Sequence, residues 1–308
     1  MSAPPSAAHA SGATPGVSRL PPRSSHSLQD NFGKPAEARL QFAVDAEGRT
    51  YLARQHAAYP HHLTRVFYLD RAAANAATVY LQSLSGGLTQ GDNVALRVSA
   101  TSSAVAHVTT QAATKVHSMD RGRAVQQIEL EALEASHLEY IADPTICFPR
   151  SRLVARTSLR VAADASAIIG DSYLWHDPGG MDAMAFDSLI SETAIARADG
   201  RLLALDRSRL TSPRGLAGNP ALLGNYRAFG TVFAVGRGTF RDDVLTAVRT
   251  VLAGLPDVYA GVSRLPAQAG LWTRILATDG ASLRTAMDRT WRECHRLMLG
   301  WSAERRRK

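Results

Sequence analysis

Lysine is almost missing from this sequence: Lys34, Lys115 and Lys308 are its three occurrences, and arginine supplies the rest of the positive charge. Cysteine is scarcer still, with Cys147 and Cys294 far apart in the chain. Two distant thiols make no disulfide framework, which excludes a small stapled scaffold and fits a reducing, cytoplasmic compartment. No uninterrupted apolar run approaches the roughly 18 residues that a membrane-spanning helix needs, and no basic segment followed by an apolar one opens the chain. A soluble protein with no membrane partner is expected.

Catalytic signatures are equally absent. The sequence holds no G-x-S-x-G elbow, no G-x-x-x-x-G-K-[ST] phosphate loop, no H-E-x-x-H helix and no C-x-x-C pair. The stretch Gly86-Gly87-Leu88-Thr89-Gln90-Gly91-Asp92 lacks the Lys-Ser/Thr of a phosphate loop and reads as a tight turn needing positive φ. His61 and His62 are neighbours that a strand would point to opposite faces, so they are poorly placed to share an ion. These two, with His107, His117 and the His295 that follows Cys294, read as core or surface histidines rather than metal ligands. No enzyme is expected.

Lys and Arg total 35 against 27 Asp and Glu, a formal charge of +8. That charge is scattered, and no aromatic residues are interleaved with it as single-strand binding would want, so nucleic acid is not an expected partner. The one dense run, Arg305 to Lys308, reads as part of a solvated basic tail over residues 301–308.

Apolar residues make up 45% of the chain, enough for a sizeable core, and their spacing shows where it lies. Residues 1–36 are rich in Ala, Pro and Ser with few large apolar groups, and are expected to be a disordered tail. From residue 37 to about 300 a single β-rich domain is expected. It begins with a hairpin of Leu40, Phe42 and Val44, the turn Asp45-Ala46-Glu47-Gly48, and Tyr51 and Leu52. A weak repeat of about 32 residues follows. Its copies are Ala95 to Val108, Ile128 to Ile141 and Ser158 to Ile169, each an alternating strand, a small-residue turn and a second strand. A further copy is read around the turn Ala198-Asp199-Gly200, from Ile195 to Leu205. Recurrence at a fixed interval predicts a mainly β fold: a β-helical or superhelical body of stacked antiparallel strand pairs, or two sheets packed face to face. Two C-terminal α-helices should complete it. Val244, Leu245, Val248, Val251, Leu252 and Leu255 form one stripe, and Leu283, Ala286, Met287, Thr290, Cys294, Leu297 and Met298 a second that Gly300 closes.

Two blocks carry a resemblance. The first holds Gly86-Gly87, Gly91-Asp92, then Thr109-Thr110-Gln111-Ala112-Ala113-Thr114-Lys115; the second runs from Leu138-Glu139-Tyr140 to Ile146-Cys147-Phe148. Together they resemble the central signature of the UreD (also UreH) family of urease accessory proteins. Weaker similarity runs through Arg201 to Leu210, Phe229-Gly230-Thr231 and the terminal helices. After the third repeat this chain reads Trp175 to Asp182, where the family usually carries a Gly-Arg and Gly-Glu pair.

The resemblance implies a non-catalytic scaffold that matures urease by nickel insertion. It would act between the accessory proteins UreF and UreG and apo-urease, with no tightly bound cofactor and only transient nickel. A nickel path needs oxygen or imidazole groups that stabilise the ion without trapping it. Acidic residues at strand ends and turns are the candidates: Asp92, Glu139, Asp143, Asp171 and Glu192, with Asp92 the first choice because it lies in the signature directly after a glycine. Two alternatives stand beside this reading, a β-solenoid interaction module unrelated to nickel and a hydrolase assembled from His107, Asp92 and scattered hydroxyls.

Overall fold

The computed structural model describes residues 33–304 and Arg306, apart from 71, 74, 177–185, 212–222 and 237–241. The expected tail up to residue 32 and the loop stretch 177–182 lie outside the described residues.

Period-two alternation leaves each strand with one apolar face, and the structure pairs those faces in two sheets. Among the described residues the first sheet has seven strands: β1 (Ala36–Val44), β2 (Thr50–Ala57), β5 (Asn93–Ala100), β8 (Ala124–Ala132), β11 (Arg152–Val161), β13 (Ser188–Arg197) and β14 (Leu202–Thr211). Their spatial order is β14-β13-β11-β8-β5-β1-β2. The second sheet holds β3 (His61–Leu63), β4 (Ala77–Ser83), β6 (Val105–Thr110), β7 (Thr114–Val116), β9 (His137–Ile141), β10 (Thr145–Cys147), β12 (Ser166–Trp175), β15 (Ala228–Val235), β16 (Val258–Arg264) and β17 (Gly270–Ala277). Its main path is β16-β17-β15-β12-β9-β6-β4-β3, with β7 and β10 to the side.

The repeat is the stacking unit of a β-solenoid. Strands β5, β8, β11 and β13 pair in parallel in the first sheet, as do β6, β9 and β12 in the second, so hydrogen bonds run between coils and not within them. Equivalent residues of successive coils stand side by side. Leu40, Val98, Leu130, Leu159 and Ile195 form one inward rung of the first sheet, all buried. Val79, Val108, Tyr140, Ile169 and Phe233 form the facing rung of the second. Each such side chain stabilises the fold by about 1.5–3 kcal/mol on full burial.

Both ends of the parallel stack turn antiparallel. The expected first hairpin is β1–β2, and the segment read as a fourth copy is the edge hairpin β13–β14, whose strands bond to each other. Two helices form on the expected stripes, α1 (Asp242–Leu252) and α2 (Gly280–Leu299), the latter started by Asp279 and ended by left-handed Gly300. They are not consecutive: β16 and β17, which helical periodicity passes over, lie between them and extend the second sheet. Helix α2 lies on that sheet's outer face because Gly170 and Gly230 leave room for it. A Cβ on Gly230 would stand 2.6 Å from the sulfur of Met287, and one on Gly170 3.2 Å from its methyl.

Candidate functional site

The glycine-rich signature folds as a loop docked on β7. Leu88 donates its amide to the Lys115 carbonyl at 2.7 Å, and His117 returns a bond to the Leu88 carbonyl at 2.9 Å. Gly87 sits at φ +144°, where a Cβ would meet that Lys115 carbonyl at 2.5 Å, so glycine is required by both conformation and space. The threonines fasten this loop to the next coil: Thr109 Oγ1 donates to the Ile141 carbonyl, and Thr110 Oγ1 accepts the Asp143 amide. Gly86, Gly87, Thr110, Thr114 and Lys115 line an opening of about 430 Å3 that reaches between the sheets to Tyr140.

Beyond Tyr140 the interior is polar. Two apolar clusters fill the ends of the sandwich, one around Phe42, Leu130 and Ile169, the other around Leu153, Tyr173 and Phe229. Between them Thr157, Thr193 and Asp206 form a rung of the first sheet, facing Asp171, Thr231 and Arg274 of the second. Asp171 accepts hydrogen bonds from Ser191 Oγ at 3.2 Å and Thr193 Oγ1 at 3.4 Å, and Tyr173 donates to Ser191. Arg274 bridges the sheets with two bonds to Asp206, at 2.7 and 2.9 Å. Burial pushes Asp171 up to about 6, against the pull of Arg274. A void of about 10 Å3, the size of one water, adjoins Asp171 and shares Tyr140 as a wall with the opening.

A second polar centre lies on the opposite face of the second sheet, beneath α2. Parallel register sets His107 beside Glu139, and His137 shares the face of Glu139 two residues earlier on β9. Helix α2 adds Trp291 and His295. Glu139 Oε2 accepts from His107 Nδ1 at 2.7 Å and Trp291 Nε1 at 2.9 Å. Its Oε1 accepts from His295 Nδ1 at 2.7 Å and His137 Nε2 at 3.1 Å, and His137 Nδ1 lies 2.7 Å from Ser166 Oγ. Burial works against the charge on Glu139, yet the three imidazole donors hold its carboxyl well below the usual range. Burial also drives His107 down to about 4, so this ring is neutral at pH 7. His107 and Trp291 form the floor of a cleft of about 970 Å3, with Asp143, Asp288 and Glu304 on its walls.

The residues after α2 close this centre. The Trp301 ring stands edge-on to His295 with centroids 4.1 Å apart. Arg306 makes bonds of 2.9 and 2.8 Å to the two oxygens of buried Asp70, and its guanidinium lies 5.1 Å from the Trp291 ring. The reading of 301–308 as a solvated basic tail is therefore corrected at Arg306, whose side chain is 6% exposed, and at buried Ala303. An unpaired Asp70 in that position would be costly, and the ion pair draws the segment inward.

The acidic candidates fall in four environments. Asp92 is half-buried and accepts from both the amide and hydroxyl of Thr89, so its carboxylate holds the Gly91 turn. Glu192 is paired with Arg207 at 2.7 Å on the outer face of the first sheet. Asp171 is inside the sandwich, while Glu139 and Asp143 are beneath and beside α2. Leu138 belongs to the core, and Phe148 packs edge-on against His117 at 5.6 Å. His137, Trp291 and Asp70 had no sequence signal of their own, and Arg306 had only its place in the basic run. His107 had one: it precedes Glu139 by 32 residues, one repeat period, so the two occupy the same phase of successive coils. Cys147 and Cys294 are buried thiols pushed up to about 12 by burial, and neither is a ready thiolate ligand.

The family model described as UreD urease accessory protein matches residues 34–308. Urease accessory protein UreD 1 of Methylorubrum extorquens is 37% identical over 278 residues, covering 90% of this chain and 92% of that protein. The protein of the same name from Bradyrhizobium sp. BTAi1 is 37% identical over 279 residues, with 90% and 96% covered. That of Pseudomonas syringae pv. syringae is 32% identical over 271 residues, with 88% and 95% covered. A match spanning nearly all of the described residues, at this identity, makes the chain a member of the UreD urease accessory protein family.

Proposed function

We propose that the protein matures urease as a cytoplasmic, non-catalytic scaffold and nickel-transfer subunit, standing between a UreF–UreG complex and apo-urease. The observation that carries this reading is the polar layer inside the solenoid. An ordinary β-sandwich fills its interior with apolar side chains, because an unpaired buried polar group costs free energy. Here the signature loop lines an opening that leads toward Asp171, and the polar rung continues from there to Arg274 and Asp206 at the other side of the sandwich. Weak oxygen donors, spaced apart and set around water-sized room, suit a divalent ion in transit, since a strong chelating site would retain it.

Among the acidic candidates Asp171 is the residue of choice for the route. Asp92 and Glu192 serve the turn and the outer sheet face. Co-expression of the chain with UreF, UreG and apo-urease tests the reading. Asp171→Asn should still assemble with UreF while urease activation falls several-fold at limiting nickel and recovers as nickel is raised. Wild-type activation by Asp171→Asn at every nickel concentration would remove the interior route.

A further inference from the structure

We infer that His137, Glu139 and His295 form a resident binding site for one transition-metal ion of the nickel, cobalt and zinc class, set beneath α2 and apart from the interior polar layer. The donor set is two imidazoles and one carboxylate, the borderline nitrogen and oxygen ligands that this class prefers. Their ligand atoms lie within 4.8 Å of one another, and Oε1 of Glu139 stands 3.1 Å from His137 Nε2 and 2.7 Å from His295 Nδ1. Bonds of about 2.1 Å place neighbouring ligands of an octahedral ion about 3.0 Å apart and opposite ones about 4.2 Å apart. The present arrangement reaches that geometry with shifts of well under about 1 Å.

The surrounding groups are arranged for the same end. Glu139 uses its two oxygens differently: Oε2 is fixed by His107 and Trp291, neither of which belongs to the ligand set, so Oε1 is turned toward His137 and His295. Ser166 lies against the far nitrogen of His137, and with the ring proton at Nδ1 that hydroxyl orients the ring and leaves the Nε2 lone pair for the ion. Among the described residues His295 Nε2 is buried with no hydrogen-bond partner. Binding of the ion at Nδ1 moves the ring proton to Nε2. His107 and Trp291 separate the site from the large cleft and are the side chains that must move for entry.

The test uses the full chain in complex with its accessory partner, stripped with chelator and titrated with Co(II), then with Ni(II) and Zn(II) in competition. One Co(II) should bind per chain, with visible d–d bands and an X-ray absorption spectrum reporting two imidazoles. His137→Gln should weaken binding at least about 100-fold, and Ser166→Ala about 10-fold, the weight of an outer-shell partner. Asp171→Asn should leave this binding unchanged, which separates the site from the interior route whatever urease activation does. A stripped wild-type chain that takes up no Co(II), or that binds it equally well as His137→Gln, overturns the inference. So does a bound ion whose spectrum shows no imidazole.

Discussion

Asp171→Asn should stabilise the protein at neutral pH, and by an amount that depends on pH. The folded carboxyl titrates at about 6 against an ordinary value of 3.8 because burial disfavours its charge. A difference of about two pH units corresponds to about 3 kcal/mol. A raised folded value means that the native state holds its proton more tightly than the unfolded chain does. Below about pH 4 the group is protonated in both states and the aspartate carries no penalty. Between about pH 4 and 6 the penalty grows, and above 6 it is complete. Asparagine has nearly the same shape, still accepts from Ser191 and Thr193, and never ionises. Its advantage over wild type should therefore rise from near zero at pH 4 to as much as about 3 kcal/mol at pH 7.5, less whatever the amide protons lose for want of an acceptor. Urea unfolding at a series of pH values, followed by circular dichroism with a common m-value, reads the difference directly. A variant that is less stable than wild type at pH 7.5, or whose difference is flat from pH 4 to 8, refutes the reasoning. Retention of a carboxylate at such a position is intelligible where function needs what stability does not.

Other outcomes follow from the same geometry. Asp92→Asn should match wild type in stability and urease activation, while Asp92→Ala loses the two bonds to Thr89 and about 1 kcal/mol; equal failure of both would show that the charge itself matters. Leu283→Asp places a carboxylate in a fully buried position under α2 and should cost several kcal/mol in thermal unfolding; unchanged stability with lost UreF binding would mean that the stripe faces the partner. Arg306→Ala leaves Asp70 buried without its partner and should cost about 3–5 kcal/mol, most of which the double variant Asp70→Leu, Arg306→Leu recovers; a double variant no better than the single would place the effect outside the ion pair.

The solenoid was legible because every coil repeats the same alternation at nearly the same length, so that Ile128 to Ile141 announces the register of its neighbours. The helices were legible from their stripes. What hid β16 and β17 was their place between two helical patterns: Tyr259 and Arg264 are exposed, and β16 joins the sheet through β17, which in turn pairs with β15. At the polar centre beneath α2, the sequence marked Glu139 through its block but not the ring of donors around it. His107 was one repeat away and within reach of a phase argument, whereas His295 is 156 residues distant on an element with a different period. Histidine chemistry of that kind is set by tertiary packing, which no local pattern encodes. The interior polar rung was half visible: alternation along Ile169, Asp171 and Tyr173 points all three inward, and an inward aspartate is a departure from the pattern that its neighbours keep.

Arg306 follows Asp70 by 236 residues, and their pairing imposes an order of events on the growing chain. Asp70 is synthesised before any coil after β3 exists, so its carboxylate must stay hydrated while the whole solenoid is laid down, coil upon coil, from parallel strands that each wait for the next. Only when α2 has been completed and the residues after it have emerged can that carboxylate be covered. Until then the outer face of the second sheet, with Glu139 and its histidines, stands open to solvent and to any ion or partner present. The covering of this face is thus a late step of biogenesis, and the interval before it is the period in which the polar centre is most accessible.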